Sequence, residues 1–210
     1  MGGSSHGNGI GVPMAGSFIA IEGLDGCGST TQVHLLAERL PNVHITAEPS
    51  DGPIGKLIRA TLRDETPLSD AVFPYLFAAD RFDHLEREIE PLVAEGKMVV
   101  SDRYYASSMA YQSLAAPLDL VMNLNAAFRP ADVTVFLEMS PELALARIDA
   151  RGEAKERFEE IGRLRSISEA YLRAIEILEQ RGERVVRVDA NGTPDEVHAR
   201  IVEALTPWRQ

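Results

Sequence analysis

The chain has 210 residues and a mass of 23.0 kDa, enough for one α/β domain with a substantial core and rather short for two. Its hydrophobic fraction of 45% and charged fraction of 25% are those of an ordinary globular protein, which excludes a disordered or fibrous chain. A formal charge of -11 and a pI near 4.9 disfavour nucleic-acid and anionic-membrane partners, because both need a broad basic face.

The single cysteine, Cys27, cannot form an internal disulfide, and no apolar run approaches the roughly 20 residues of a bilayer span, so a cytoplasmic location fits. Residues 1–13, MGGSSHGNGIGVP, lack the basic start and apolar centre of a signal peptide. They read as an added leader, with Met14 as the native start and 14–210 as one domain.

Along the chain, the first apolar run, SFIAIE (17–22), predicts a strand and leads into a glycine-rich loop and a helix from about Ser29. VHITA (43–47) predicts a second strand, with a helix from about Pro53. A long helix is expected from about Ser69 to Glu95; it carries Phe73, Phe77 and Arg81 four apart and so on one face. KMVVSD (97–102) and DVTVFLE (132–138) predict strands three and four, followed by a helix from about Pro141. A mixed-charge stretch then leads to RVVRVDA (184–190) and a last helix from about Thr193. Apolar strands alternating with amphipathic helices predict an α/β fold, a mostly parallel five-stranded sheet covered on both faces, since a parallel crossover needs a helix to bring the chain back. Ligands of such sheets collect beyond the carboxyl ends of the strands, where Gly23, Glu48, Asp102 and Asp189 fall.

The loop after the first strand reads Gly23-Leu24-Asp25-Gly26-Cys27-Gly28-Ser29-Thr30-Thr31. It is nearly a P-loop, in which backbone N-H groups curl around phosphates at a helix N-terminus. Thr30 stands where a hydroxyl reaches Mg2+, and Ser29 stands where the pattern has its phosphate-binding lysine. Taken alone, the loop is balanced between a phosphate cradle and a plain strand-to-helix turn. Cys27 reads as a packing residue rather than a nucleophile.

Further segments resemble the thymidylate kinase family in order and spacing: IEGLDG, AEPSDGPIGKLIR, LFAADR, SDRYYASSMAYQ, ERFE and VDANGTPDEV, spread from Phe18 to Trp208. The resemblance implies a P-loop nucleoside monophosphate kinase fold with a lid at about 147–160, Mg2+ with ATP as co-substrate, dTMP as acceptor, and a homodimer. On this resemblance Phe77 stacks on thymine and Arg81 hydrogen-bonds the base. Arg103 holds the dTMP phosphate, while Asp102 acts nearby through metal-bound water or by orienting Arg103. Ser108 contacts the base, Tyr111 closes against C2 of the sugar, and Gln112 and Glu48 belong to the same acceptor site. Asp25 lies near the 3'-hydroxyl of dTMP and within the ATP loop.

In Glu48-Pro49, Ala47 stands where many relatives have an arginine. Among the lid cations Arg157 is the first candidate for a catalytic role and Arg151 the second. Arg147 flanks adenine, with Ala190 in the segment lining the same pocket. Two alternatives stay open: a nucleotide-binding regulatory protein with weak or no transfer, motivated by Ser29 and Ala47, and a kinase for another deoxynucleoside monophosphate.

Overall fold

The computed structural model describes residues 16–150 and 157–206, with 157–159 given by backbone alone. Five parallel strands form one sheet in the order β2-β3-β1-β4-β5. They are β1 (Ser17–Gly23), β2 (Val43–Ala47), β3 (Met98–Asp102), β4 (Val133–Glu138) and β5 (Val185–Asp189), each within a residue or two of its expected position.

Side chains alternate along the strands between two faces. Phe18, Ala20, Val99 and Phe136 pack into one core with helices α5 (Tyr105–Tyr111), α6 (Leu118–Asn125) and α8 (Arg157–Gln180). Ile19, Ile21, Val100, Val133 and Val135 pack into the other with α1 (Ser29–Arg39) and α9 (Pro194–Leu205). Both faces are therefore covered, and the central strands read as continuous apolar runs for that reason.

The helix starts follow local chemistry. α2 (Pro53–Leu62) has proline in its first turn, and Ser140 accepts from the Leu143 N-H at the head of α7 (Pro141–Asp149). Thr193 and Glu196 cap α9 reciprocally. The long helix expected from Ser69 to Glu95 is divided. A 3-10 turn at Asp70–Val72 precedes α3 (Phe73–His84), and a π turn at Leu85–Ile89 links it to α4 (Glu90–Ala94). Pro91 has no N-H to return to the preceding turn, and the helix widens just before it. The longest helix among the described residues is instead α8, with 24 residues.

The connection from β1 leaves toward β2, whereas that from β4 leaves toward β5 on the opposite side. The carboxyl ends of β1 and β4 thus flank a topological switch point, and the glycine loop lies there.

Candidate active site

The glycine loop is shaped by close approach and by backbone sign. At Gly26 φ is +85°, and a Cβ there would stand 2.7 Å from the Ala144 carbonyl oxygen on α7, so no other residue fits without moving the loop. Gly28, also left-handed, is the cap of α1, whose first residues are Ser29, Thr30 and Thr31. Cys27 is buried and its thiol is pushed up by burial, in keeping with a packing role.

On one side of the loop, a cavity of about 210 Å³ is lined by Cys27, Gly28, Thr31, Gln32, Arg147 and Gly192, among others. Arg147 spans its wall, donating to the Cys27 carbonyl at 3.4 Å and to the Ala190 and Gly192 carbonyls at 3.1 Å each. The loop after β5 is thereby tied to the glycine loop, and Arg147 and Ala190 fall together as expected. Arg151 lies outside the described residues, and of Arg157 only the backbone at the start of α8 is described.

A larger cavity, about 480 Å³, lies on the other side. It brings together Asp25, Glu48, Phe77, Arg81, Arg103, Ser108, Tyr111 and Gln112, the full acceptor set expected from sequence. Phe73 joins Phe77 in its wall, their ring centroids 6.3 Å apart, as the four-residue spacing on α3 predicts.

Arg81 is one of the most deeply buried side chains, 1% exposed. Its guanidinium donates to Glu48, to Asn125 and, at 3.1 Å, to Ser108 Oγ. Glu48 also faces His84, whose Nδ1 is 3.4 Å from Oε1, and His84 Nε2 lies 2.7 Å from Thr46 Oγ1. Glu48 therefore reaches the cavity chiefly through the arginine it holds. Arg81 Nε and Gln112 Oε1 are buried with no hydrogen-bond partner among the described residues, and unpaired polar atoms in a cavity wall mark a ligand site.

Arg103 has φ of +79°, a conformation a non-glycine residue adopts only where its surroundings enforce it. Its guanidinium donates to Asp25 Oδ1 at 2.6 Å, Tyr171 Oη at 2.8 Å, Ser107 Oγ at 3.2 Å and the Gly23 carbonyl at 3.3 Å, and it lies 5.0 Å from the centre of the Tyr111 ring. Asp102 does not orient Arg103. It accepts from Thr30 Oγ1 at 2.5 Å, and its other oxygen, Oδ1, is buried without a hydrogen-bond partner among the described residues. The left-handed backbone at Arg103 sends the two neighbouring side chains to different partners, and Asp25 is the carboxylate that holds the arginine.

Several further residues of this site are not among those that the sequence motifs single out. Glu22, wholly buried at the end of β1, accepts from the Tyr104 and Ser107 N-H groups and from the Ser107 and Tyr171 hydroxyls; burial pushes its carboxyl up to about 7. A carboxylate inside an apolar strand was the available signal, since it must be fully satisfied to be tolerated. His84 sits three residues after Arg81 on the same helical face, which was likewise legible. Asn125, Tyr171 and Arg163, the last an exposed residue of α8 in the cavity wall, come from remote segments and gave no local sign.

A phosphate-type loop at the switch point of a five-stranded parallel sheet, with one cavity on either side, defines a P-loop nucleoside monophosphate kinase fold. A crystal structure of thymidylate kinase from Ehrlichia chaffeensis superimposes with a TM-score of 0.70, covering 90% of this chain and 98% of that one at 23% identity. The thymidylate kinase family profile matches residues 21–201, and the chain belongs to that family. It is 42% identical over 191 residues to a probable thymidylate kinase of Pyrobaculum aerophilum, covering 90% of this chain and 96% of that protein. It is 33% identical over 208 residues to a thymidylate kinase of Trichormus variabilis, covering 92% and 97%.

Proposed function

We infer that this protein transfers the γ-phosphoryl group of ATP to dTMP, giving dTDP and ADP, a step in dTTP biosynthesis. The observation that carries the reading is the larger cavity, where an aromatic ring, a buried arginine and a second arginine meet beside the glycine loop in a chain of this family. In the site we propose, Phe77 offers its face to thymine and Arg81 its planar donors to the base edge. Ser108 and Gln112 complete the base pocket. Arg103 holds the acceptor phosphate with its fork of N-H groups, and Asp25 and Tyr111 border the sugar. The smaller cavity takes the adenine of ATP against Arg147, which the Ala190 carbonyl helps to hold, with the phosphates on the backbone from Gly23 to Thr31.

The donor set at Thr30 and Asp102 fits Mg2+. Both side chains offer hard oxygen atoms, Asp102 Oδ1 is buried and unpaired, and a site with a single carboxylate suits an ion held largely by substrate phosphates. Bound there, Mg2+ would neutralise charge on the transferring phosphoryl group. The protein's own contribution is then positioning: the acceptor phosphate is already anionic near neutrality, so no strong general base is required, and catalysis rests on alignment and fixed charge. Arg157 and Arg151 are the proposed lid cations that supply the charge Ser29 lacks.

A homodimer is supported by the exposed apolar side chains Leu57, Tyr75 and Phe82 on α2 and α3. A cytoplasmic setting is supported by the one buried free cysteine and by the absence, among the described residues, of any helix able to cross a membrane.

The test is product formation from ATP and dTMP, dUMP, dGMP or dCMP, with and without Mg2+. Fastest turnover with dTMP, abolished by chelation, is expected. Binding of both nucleotides without any dTDP would favour the regulatory alternative, and faster turnover of another acceptor would reassign the base pocket.

A further inference from the structure

Arg103 donates to two neutral hydroxyls, and a hydroxyl can serve it as an acceptor only if its single proton points elsewhere. Ser107 Oγ lies 2.5 Å from Glu22 Oε2, and Tyr171 Oη lies 3.2 Å from the same oxygen and 2.7 Å from Ser107 Oγ. The other Glu22 oxygen, Oε1, receives the Tyr104 N-H at 2.9 Å and the Ser107 N-H at 3.2 Å. All four neighbours are donors, so the carboxylate is filled as a pure acceptor. Its presence directs the proton of Ser107 to itself and that of Tyr171 to itself or to Ser107. Both hydroxyls are left with lone pairs toward Arg103.

We propose that Glu22 is a positioning residue for the acceptor phosphate: its carboxylate polarises the Ser107 and Tyr171 hydroxyls so that both accept from Arg103 and hold the guanidinium in the cavity wall. The inference rests on the reading of Arg103 as the phosphate-binding residue. Glu22 lines neither of the two cavities beside the glycine loop; it acts through two side chains from different elements, α5 and α8. The arrangement also accounts for Arg103 keeping a left-handed backbone with Asp25 as its one direct carboxylate partner among the described residues.

The proton balance makes the idea specific. In Glu22→Gln the amide presents N-H groups where Oε2 was, so Ser107 and Tyr171 must accept from it, and at least one hydroxyl proton is turned toward Arg103. The flipped amide sets its N-H groups against the Tyr104 and Ser107 N-H groups instead. Neither orientation restores the pattern, although size and shape barely change. Protonating Glu22 has the same effect as the first orientation, and burial already places that event near neutrality. The charged and titratable groups facing Glu22 are Arg103 ahead of α5, Tyr104 and Tyr111 around α5, Tyr171 on α8 and Asp25 in the loop. The tyrosines are all shifted upward by burial and stay neutral through this range.

The experiment is steady-state kinetics of the full chain and of Glu22→Gln, Tyr171→Phe and Arg103→Ala between pH 6 and 9, with circular dichroism to confirm folding. Glu22→Gln should raise KM for dTMP about tenfold at pH 8 while leaving KM for ATP within about twofold. In the unsubstituted protein KM for dTMP should rise as pH falls through about 7, beyond the part due to dTMP's own ionisation, which the Gln variant shows alone. Tyr171→Phe, which keeps Glu22 but deletes one acceptor, should raise KM for dTMP by a few-fold and keeps the proposal open to refutation if the Gln variant fails to fold. An unchanged KM for dTMP in both variants, or equal rises for the two nucleotides, overturns the relay. If Arg103→Ala itself leaves KM for dTMP unchanged, the assignment of the phosphate site falls instead.

Discussion

The pair Arg81–Glu48 offers the sharpest energetic test of the site. Their side chains are 1% and 2% exposed, so each charge depends on the other and on a few polar neighbours rather than on water. Replacing Arg81 with Met strips Glu48 of its cation, and replacing Glu48 with Leu leaves the guanidinium with neutral neighbours, the Asn125 and Ser108 oxygens and the Tyr104 and Phe128 rings. Breaking one side of a buried pair typically costs about 3 to 5 kcal/mol, because a charge is stranded without solvent. In a domain of this size that corresponds to a fall in Tm of roughly 6 to 20 °C. The double substitution removes both charges. It is expected to cost no more than about 2 kcal/mol, the residue of unpaired hydrogen-bonding groups on Asn125 and His84. Urea unfolding of the three variants gives the coupling directly, and dTMP titration of those that fold should show binding lost in every one, the well-folded double variant included. Single substitutions costing under about 1 kcal/mol, or a double variant whose loss is the sum of the two, would refute the view that the pair is electrostatically isolated.

Arg103→Ala should weaken dTMP binding by about 1.5 to 3 kcal/mol, the worth of a charge-assisted contact, with far less effect on ATP; separate titrations of the two nucleotides check this. Glu22 has its pKa raised on folding, so the native state binds the proton more tightly than the unfolded chain, and the group's contribution to stability is present below about pH 4.5 and declines until about pH 7. The stability of Glu22→Gln relative to the parent should therefore increase by about 2 to 3 kcal/mol between pH 5 and 8, measured by urea unfolding. Because Ser29 carries no charge, at least one of Arg157→Ala and Arg151→Ala should lower kcat strongly, on the order of 10³, with Ser29→Lys restoring part of it; stopped assays of single and combined variants decide this.

All five strands were legible from short apolar and β-branched runs; those of β1, β3 and β4 are set by burial on both faces, whereas the edge strands β2 and β5 are only partly buried. The helix starts at Pro53 and Pro141 and the cap at Thr193 were legible because first-turn proline and side-chain capping are local chemistry, and the start at Ser29 because it follows the glycine loop directly. The extent of the long helix from about Ser69 to Glu95 was legible, but the π turn within it was not, because that turn comes from the register adjustment ahead of Pro91 and helical periodicity continues across it. The cavity residues on α3 and around α5 could be named because each lies in a contiguous segment that resembles the thymidylate kinase family; spacing by itself determines only that Phe77 and Arg81 share a helical face.

What the sequence by itself determined was therefore the order of the elements, the glycine loop and the two arginines that line the larger cavity. Only the tertiary structure decided what holds those arginines. Asp25 rather than Asp102 pairs with Arg103, Glu48 and Asn125 clasp Arg81, and Glu22 reaches Arg103 through Ser107 and Tyr171; the contacts to Asp25, Glu48 and Asn125 and that between Glu22 and Tyr171 join residues 33 to 149 positions apart. Local propensity acts over a helical turn or a strand repeat, whereas a buried charge is satisfied by whatever polar group the packed fold brings within about 3 Å, and that choice is made only when the sheet and its two helical layers close around it.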